Sequence, residues 1–198
     1  MTVLAILLNL AAPLGHCEAQ QGRPSSVVDK LYGEVVSRHP LGVPSGADQA
    51  AIWPLLSKRL IRVFETRNAC DADWERQHPD ANTPPYILKP PGFYEDGLFS
   101  GQDERGYLDG AAVGATKTQA DGSYLVYVNV WSYYDGGEPS LRTAKVYRWK
   151  VAARVIPEYG HFVVDDILGL RGVFASDKEV YMSKMLRNGC NGSRAIPD

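Results

Sequence analysis

Two adjacent carboxylates, Asp165 and Asp166, interrupt the apolar run Phe162-Val163-Val164-Asp165-Asp166-Ile167-Leu168. A carboxylate surrounded by apolar side chains loses hydration, and its pKa rises towards the range where it can act as a general base. On a strand, alternation puts Phe162, Val164, Asp166, Leu168 and Leu170 on one face, so Asp166 is the acid expected among apolar neighbours. The same alternation sends Asp165 to the other face, which rules out a paired dyad made of these two alone. The competing role for Asp166 is structural, as the partner of an arginine or the cap of a nearby backbone group.

Other reactive residue types are sparse. His161 opens a strand beside Gly160, and His39 and His78 each precede a proline, a setting that marks chain boundaries. No His-x-His or HExxH spacing occurs, and no motif implies a metal or cofactor. Ser57 and Ser100 are the candidate nucleophilic hydroxyls. Gly97-Leu98-Phe99-Ser100-Gly101 has the wrong spacing for a GxSxG elbow and reads as a tight turn that tucks Leu98 and Phe99 into the core. Arg148, Lys150 and Arg154 alternate along one strand and could hold an anion or an acidic partner, or simply face water. Trp131, Tyr133 and Tyr134 near a turn are of the types enriched in recognition surfaces.

The elements that must position these residues fit in one domain, since the chain has 198 residues. Its net charge of −2 gives no overall field favouring nucleic acid or an anionic membrane. Val3 to Leu14 is an apolar run shorter than a membrane span, interrupted by Asn9 and followed by Cys17-Glu18-Ala19 before Gln20. Residues 1–19 therefore read as a signal peptide, although no Lys or Arg precedes the apolar run. Residues 20–24 read as a linker and 25–198 as the mature domain, exported to the periplasm or outside the cell. Loss of Cys17 with the leader leaves Cys70 and Cys190, either as a disulfide or as two separate buried thiols.

Val28, Leu31, Tyr32, Val35 and Val36 recur at helical spacing after Ser25 or Ser26, and His39-Pro40 ends that helix. A second helical stretch starts at Ser45 or Asp48 and carries Ala51, Leu55, Leu56, Leu60, Ile61 and Phe64, with Pro54 as a break inside it. Residues 68–77 read as a third, shorter helix. From Asp80 to Gly110 no period survives, and Tyr86, Phe93, Tyr94, Phe99 and Tyr107 suggest an ordered surface loop. Strands follow over residues 111–118, 124–134, 143–156 and 161–170, joined by turns such as Asp121-Gly122. In the third strand Tyr147, Trp149, Val151, Ala153 and Val155 share the face turned to the helices, opposite Arg148, Lys150 and Arg154. In the second, Leu125, Tyr127, Asn129, Trp131 and Tyr133 share a face. A last helix is expected from Asp177 to Arg187, capped by Ser176. The fold class is thus α+β: N-terminal helices on a curved antiparallel four-stranded meander, with a C-terminal helix.

Helices followed by a meander of long strands resemble the nuclear-transport-factor-two-like (cystatin-like) cone. The chain is more closely similar to a group of bacterial exported proteins on that fold with no assigned activity. The residues that carry the likeness are Leu31-Tyr32, Trp53 to Leu60, Gly97 to Gly101, Asp121-Gly122-Ser123, Phe162 to Asp166, and Arg187-Asn188-Gly189-Cys190. They span most of the mature chain. The resemblance implies a pocketed sheet and supports pairing of Cys70 with Cys190, but it assigns no catalytic residue. Some enzymes of the cone fold use an acidic base in the pocket, which is the role open to Asp166. Cone-fold proteins often dimerise through the sheet, so a homodimer through the Arg148 face is a further expectation. The leading expectation is a non-catalytic envelope module that holds a small ligand or a protein, with Tyr127, Arg148, Trp149, Asp166 and Phe99 as ligand contacts. The alternatives are an isomerase or hydrolase using Asp166, and an inhibitor or immunity protein that plugs a toxin.

Overall fold

The computed structural model describes residues 22–40, 42–81, 97–101, 108–134, 142–170 and 179–188. The leader, the first two linker residues, Tyr86, Phe93, Tyr94, Tyr107, Ser176 and Cys190 lie outside them, and the last linker residue, Pro24, belongs to the first helix.

Helix α1 (Pro24–Arg38) starts on a proline, whose fixed φ suits the first turn and whose missing N–H would be unpaired there anyway. It buries Val27, Val28, Leu31, Tyr32 and Val35 as one stripe. His39 closes it in the left-handed region, with its N–H donating to the Val35 carbonyl. Helix α2 (Gly46–Ile52) runs into a 3-10 turn over Trp53–Leu55 that carries Pro54. The chain then extends for Leu56 and Ser57 before helix α3 (Lys58–Gln77) begins. Ser57 caps α3, its Oγ accepting from the Leu60 N–H at 3.0 Å. The second and third helical stretches of the sequence reading are therefore divided elsewhere. The break falls at Pro54–Ser57, and residues 58–77 form one helix. No breaker separates residues 64 and 68, whereas a proline followed by a capping serine resets the register.

Strands β1 (Gly110–Thr118), β2 (Tyr124–Tyr134), β3 (Arg142–Glu158), β4 (His161–Gly169) and β5 (Val180–Tyr181) make one antiparallel sheet in sequence order. The fold is α+β, with five strands among the described residues rather than four, because β5 is too short to leave a period in the sequence. It precedes helix α4 (Met182–Asn188), so the last helix begins later than the sequence suggests. The β3–β4 hairpin turns through Tyr159 and Gly160, with φ of 50° and 83°. Positive φ at both central residues matches the tight turn that two twisted strands require.

One face of the sheet packs on the helices. Val126, Val128 and Val130 of β2, Val151, Ala153 and Val155 of β3, and Val164 and Ile167 of β4 are fully buried there. Val28 and Leu31 of α1, Leu60 and Phe64 of α3, and Leu186 of α4 belong to the same core. The turn Gly97–Gly101 inserts Leu98 and Phe99 into it. Phe99 meets Phe64 edge-to-face at 6.1 Å between centroids, and its carbonyl accepts from the Tyr32 hydroxyl at 2.9 Å. Burying each such large side chain stabilises by ~1.5–3 kcal/mol. Among the described residues this core fills the space between the helices and β2–β4, while an open pocket lies between α1 and β1, lined by Ser25, Ser26, Asp29, Lys30, Val113 and Gly114.

The two sheet edges differ. Along β4 the extended segment at Leu56 bridges Val164, with the Ser57 N–H donating to the Val164 carbonyl at 2.9 Å. Further along, β5 pairs with Leu168 and Gly169. Asp165 and Asp166 sit between these two partial covers. At the other edge β1 carries an irregularity between Val113 and Thr116, the kind of bulge that discourages a further strand from adding.

Candidate functional site

The Asp165–Asp166 pair is built by a bulge. In the β3–β4 ladder Arg154 faces Asp166 while the next residue, Val155, faces Val164, so Asp165 is the extra residue. A bulge places two consecutive residues opposite one and breaks the alternation of faces. Val164 and Ile167 point into the core, and both aspartates lie on the opposite face beside Arg154. This corrects two expectations. The aspartates do not point to opposite faces, and Asp166 does not share a face with Phe162 and Val164.

Both carboxylates are nearly inaccessible, with 1% and 3% of their surface exposed. Asp165 Oδ1 accepts from Ser57 Oγ at 2.7 Å and from Arg59 Nε at 2.9 Å. Its Oδ2 accepts from Arg154 Nη1, and its carbonyl accepts from Arg59 Nη2 at 2.6 Å. Asp166 Oδ1 accepts from the backbone N–H groups of Ile167 at 2.9 Å and Ser183 at 3.1 Å. Its Oδ2 accepts from Ser183 Oγ and from Arg59 Nη2 at 3.1 Å. Arg154 Nη2 reaches on to Asp121 Oδ2 at 2.9 Å, and Asp121 Oδ1 accepts from Ser123.

The electrostatics follow from these contacts. Burial pushes Asp165 up, but hydrogen bonds from Arg59 and Ser57 and the charges of Arg59 and Arg154 outweigh it and hold it below the usual range. Burial also pushes Asp166 up, and there it outweighs the help from Ser183 and Arg59. Two hydrogen bonds from Ser123 and a third from Arg154 hold Asp121 well below the usual range. A general base needs a lone pair within reach of a substrate. Four donors already occupy Asp166, about as many as a carboxylate can accept. The cluster ties the start of α3, the bulge of β4, the hairpin at Asp121 and the start of α4 into one knot.

The outward face of β2 and β3 is built differently. Trp131 faces Gly110 on one neighbour and Arg148 on the other. A Cβ at Gly110 would fall 2.0 Å from the indole, so the ring lies directly over that glycine. The Arg148 guanidinium carbon stands 5.5 Å from the Trp131 ring centroid, a cation–π stack. Asn129 faces Lys150, and Tyr127 lies two residues along on the same row. Arg148, Lys150 and Asn129 are exposed, and Trp131 and Tyr127 are half-buried. Nearer β4, Ala152 and Leu168 on the same face are buried. The open area is therefore the aromatic and cationic part.

The five expected ligand contacts do not converge. Tyr127 and Arg148 belong to this outer face. Trp149 lies on the inner face, its Nε1 donating to the Ser100 carbonyl at 2.7 Å. Phe99 is core, and Asp166 is in the knot. Ser57 is a helix cap bound to Asp165, and Ser100 Oγ donates to the Gly97 carbonyl at 2.7 Å, so neither is poised as a nucleophile. Arg59 and Ser183 were missed by sequence reasoning. The one available signal for Arg59 was its position directly after the cap Ser57.

Cys70 on α3 is disulfide-bonded. Cys190, the expected partner, lies outside the described residues, and α4, two residues short of it, packs against α3. Among the described residues no group of three His, Cys, Asp or Glu side chains is placed to hold a metal. No described helix is long and apolar enough to cross a membrane. No family model, curated protein or solved structure matches the chain.

Proposed function

We propose that this chain is a non-catalytic binding module of the bacterial cell envelope that engages a protein partner through the outer face of β2 and β3. The observation that carries the reading is the Trp131–Arg148 stack, a half-buried aromatic beside an exposed cation on the outer face of the sheet. Aromatic and arginine side chains dominate binding hot spots because they offer large contact area for little entropy loss. The acid that could have supported catalysis is saturated with donors instead. The Val3–Leu14 run supports export, and the disulfide at Cys70 fits an oxidising compartment. Cys190 as its partner, and a place in the cone-fold group of exported proteins, belong to the same reading.

The test is site-specific photo-crosslinking in the producing cell. A photoreactive residue at Asn129 should give a discrete adduct that Trp131→Ala abolishes, while one at Lys30 on α1 should give none. Equal labelling from both positions, or an adduct indifferent to Trp131, would refute the outer-face reading.

A further inference from the structure

We infer that the partner presents an acidic, extended polypeptide segment to the Trp131–Arg148–Lys150 platform. This rests on the outer-face reading above and specifies what binds there. Arg148 and Lys150 are successive outward residues of β3. Neither makes an ion pair with a described residue, and no carboxylate stands among the outward residues from Leu125 to Trp131 or from Arg148 to Lys150. The patch is cationic on a chain whose net charge is −2. That combination favours a short anionic segment over a long polyanion, which the rest of the surface would repel.

Spacing points the same way. Tyr127, Asn129 and Trp131 form an outward row along β2, and Arg148 and Lys150 form one along β3. Their repeat of about 6.6–6.8 Å, two strand residues, equals the side-chain repeat of an extended peptide. The stack on Trp131 orients the Arg148 guanidinium, which leaves its N–H edge for bidentate contact with a carboxylate. A second copy of this chain is a poor occupant. Two-fold pairing through this face would bring two copies of the same cationic patch into one interface.

The experiment is titration of the purified, disulfide-intact chain with a short oligo-L-glutamate peptide, followed by fluorescence and calorimetry, with hyaluronate and oligothymidylate as parallel probes. The expected result is saturable binding of the oligo-L-glutamate peptide that weakens with salt and exceeds binding of the other two at equal charge. Arg148→Glu should abolish it. The charge-conserving Arg148→Lys should still weaken it several-fold, because lysine neither stacks nor forks, whereas Lys30→Glu on α1 should leave it unchanged. Arg148 is exposed, so these variants should melt with the parent. No binding, binding indifferent to Arg148→Lys, or tighter binding of hyaluronate or oligothymidylate would overturn the acidic-peptide assignment. A crosslink from Asn129 would survive any of these results, so the two claims fail separately.

Discussion

Arg154 and Arg148 sit six residues apart on the same face of the same strand, yet their surroundings are opposite. Arg154 is engaged on both sides, by Asp165 and by Asp121. Arg148 has an indole beneath it and solvent above. In the sequence the two belong to one alternating charged row. What separates them is a single extra residue in the neighbouring strand. The bulge at Asp165 brings two carboxylates to the Arg154 end, and among the described residues no carboxylate pairs with Arg148. A row of like charges on a sheet can therefore divide into a structural half and an available half.

The sharpest way to break this comparison is to truncate one partner at each end. Asp165→Ala leaves Arg59 and Arg154 without their shared acceptor and Ser57 without its carboxylate. Removing one member of a buried ion network costs ~3–5 kcal/mol, the expected loss in urea unfolding. Arg148→Ala should change stability by no more than about 0.5 kcal/mol, as for an ordinary surface site. Comparable losses at both sites would erase the distinction.

A smaller effect is expected at Gly110. Gly110→Ala would drive a methyl into the Trp131 ring, which must swing off the strand. The cost is about 1–3 kcal/mol, in the range of overpacked sites. Tryptophan emission should shift to the red and the crosslink from Asn129 should disappear. Unchanged emission with an intact crosslink would mean that the stack is not what the partner reads.

Smaller again is the pH dependence within the knot, where the two aspartates contribute with opposite sign. Asp165 titrates lower folded than unfolded, so its stabilisation is complete above the unfolded pKa of ~3.9 and is lost as pH falls through the folded value. Asp166 titrates higher folded than unfolded, so its ionisation subtracts stability as pH rises from ~3.9 through its folded value. Unfolding free energies of the parent and of Asp166→Asn, measured from acid to neutral pH, should diverge in slope just above the unfolded pKa. Parallel curves there would show that Asp166 is not raised.

Much of the scaffold was legible. Strict alternation in β3 assigned Val151 and Val155 to the core and Arg148 and Lys150 to the other face, and in β2 it grouped Tyr127 with Trp131 without saying which way that face turns, because a twofold period survives wherever pairing is regular. The same rule failed in β4, where nothing local announces that Asp165 is an added residue. The bulge is fixed by its partners, and those come from Ser57 and Arg59, more than a hundred residues earlier. The helix break at Pro54–Ser57 was half legible, since the proline was noticed and the cap after it was not. Tyr127 and Arg148 could be nominated singly. The platform they belong to depends on the register that sets Gly110 under Trp131, a relation between strands that no local pattern encodes.

The most direct measurement is Arg148→Glu read out twice on the same preparation, by thermal melting and by the crosslink from Asn129. If Arg148 serves recognition while Arg154 serves the fold, the melt will overlay the parent and the adduct will vanish. A melt depressed as far as that of Asp165→Ala, or an adduct at full yield, would contradict that division.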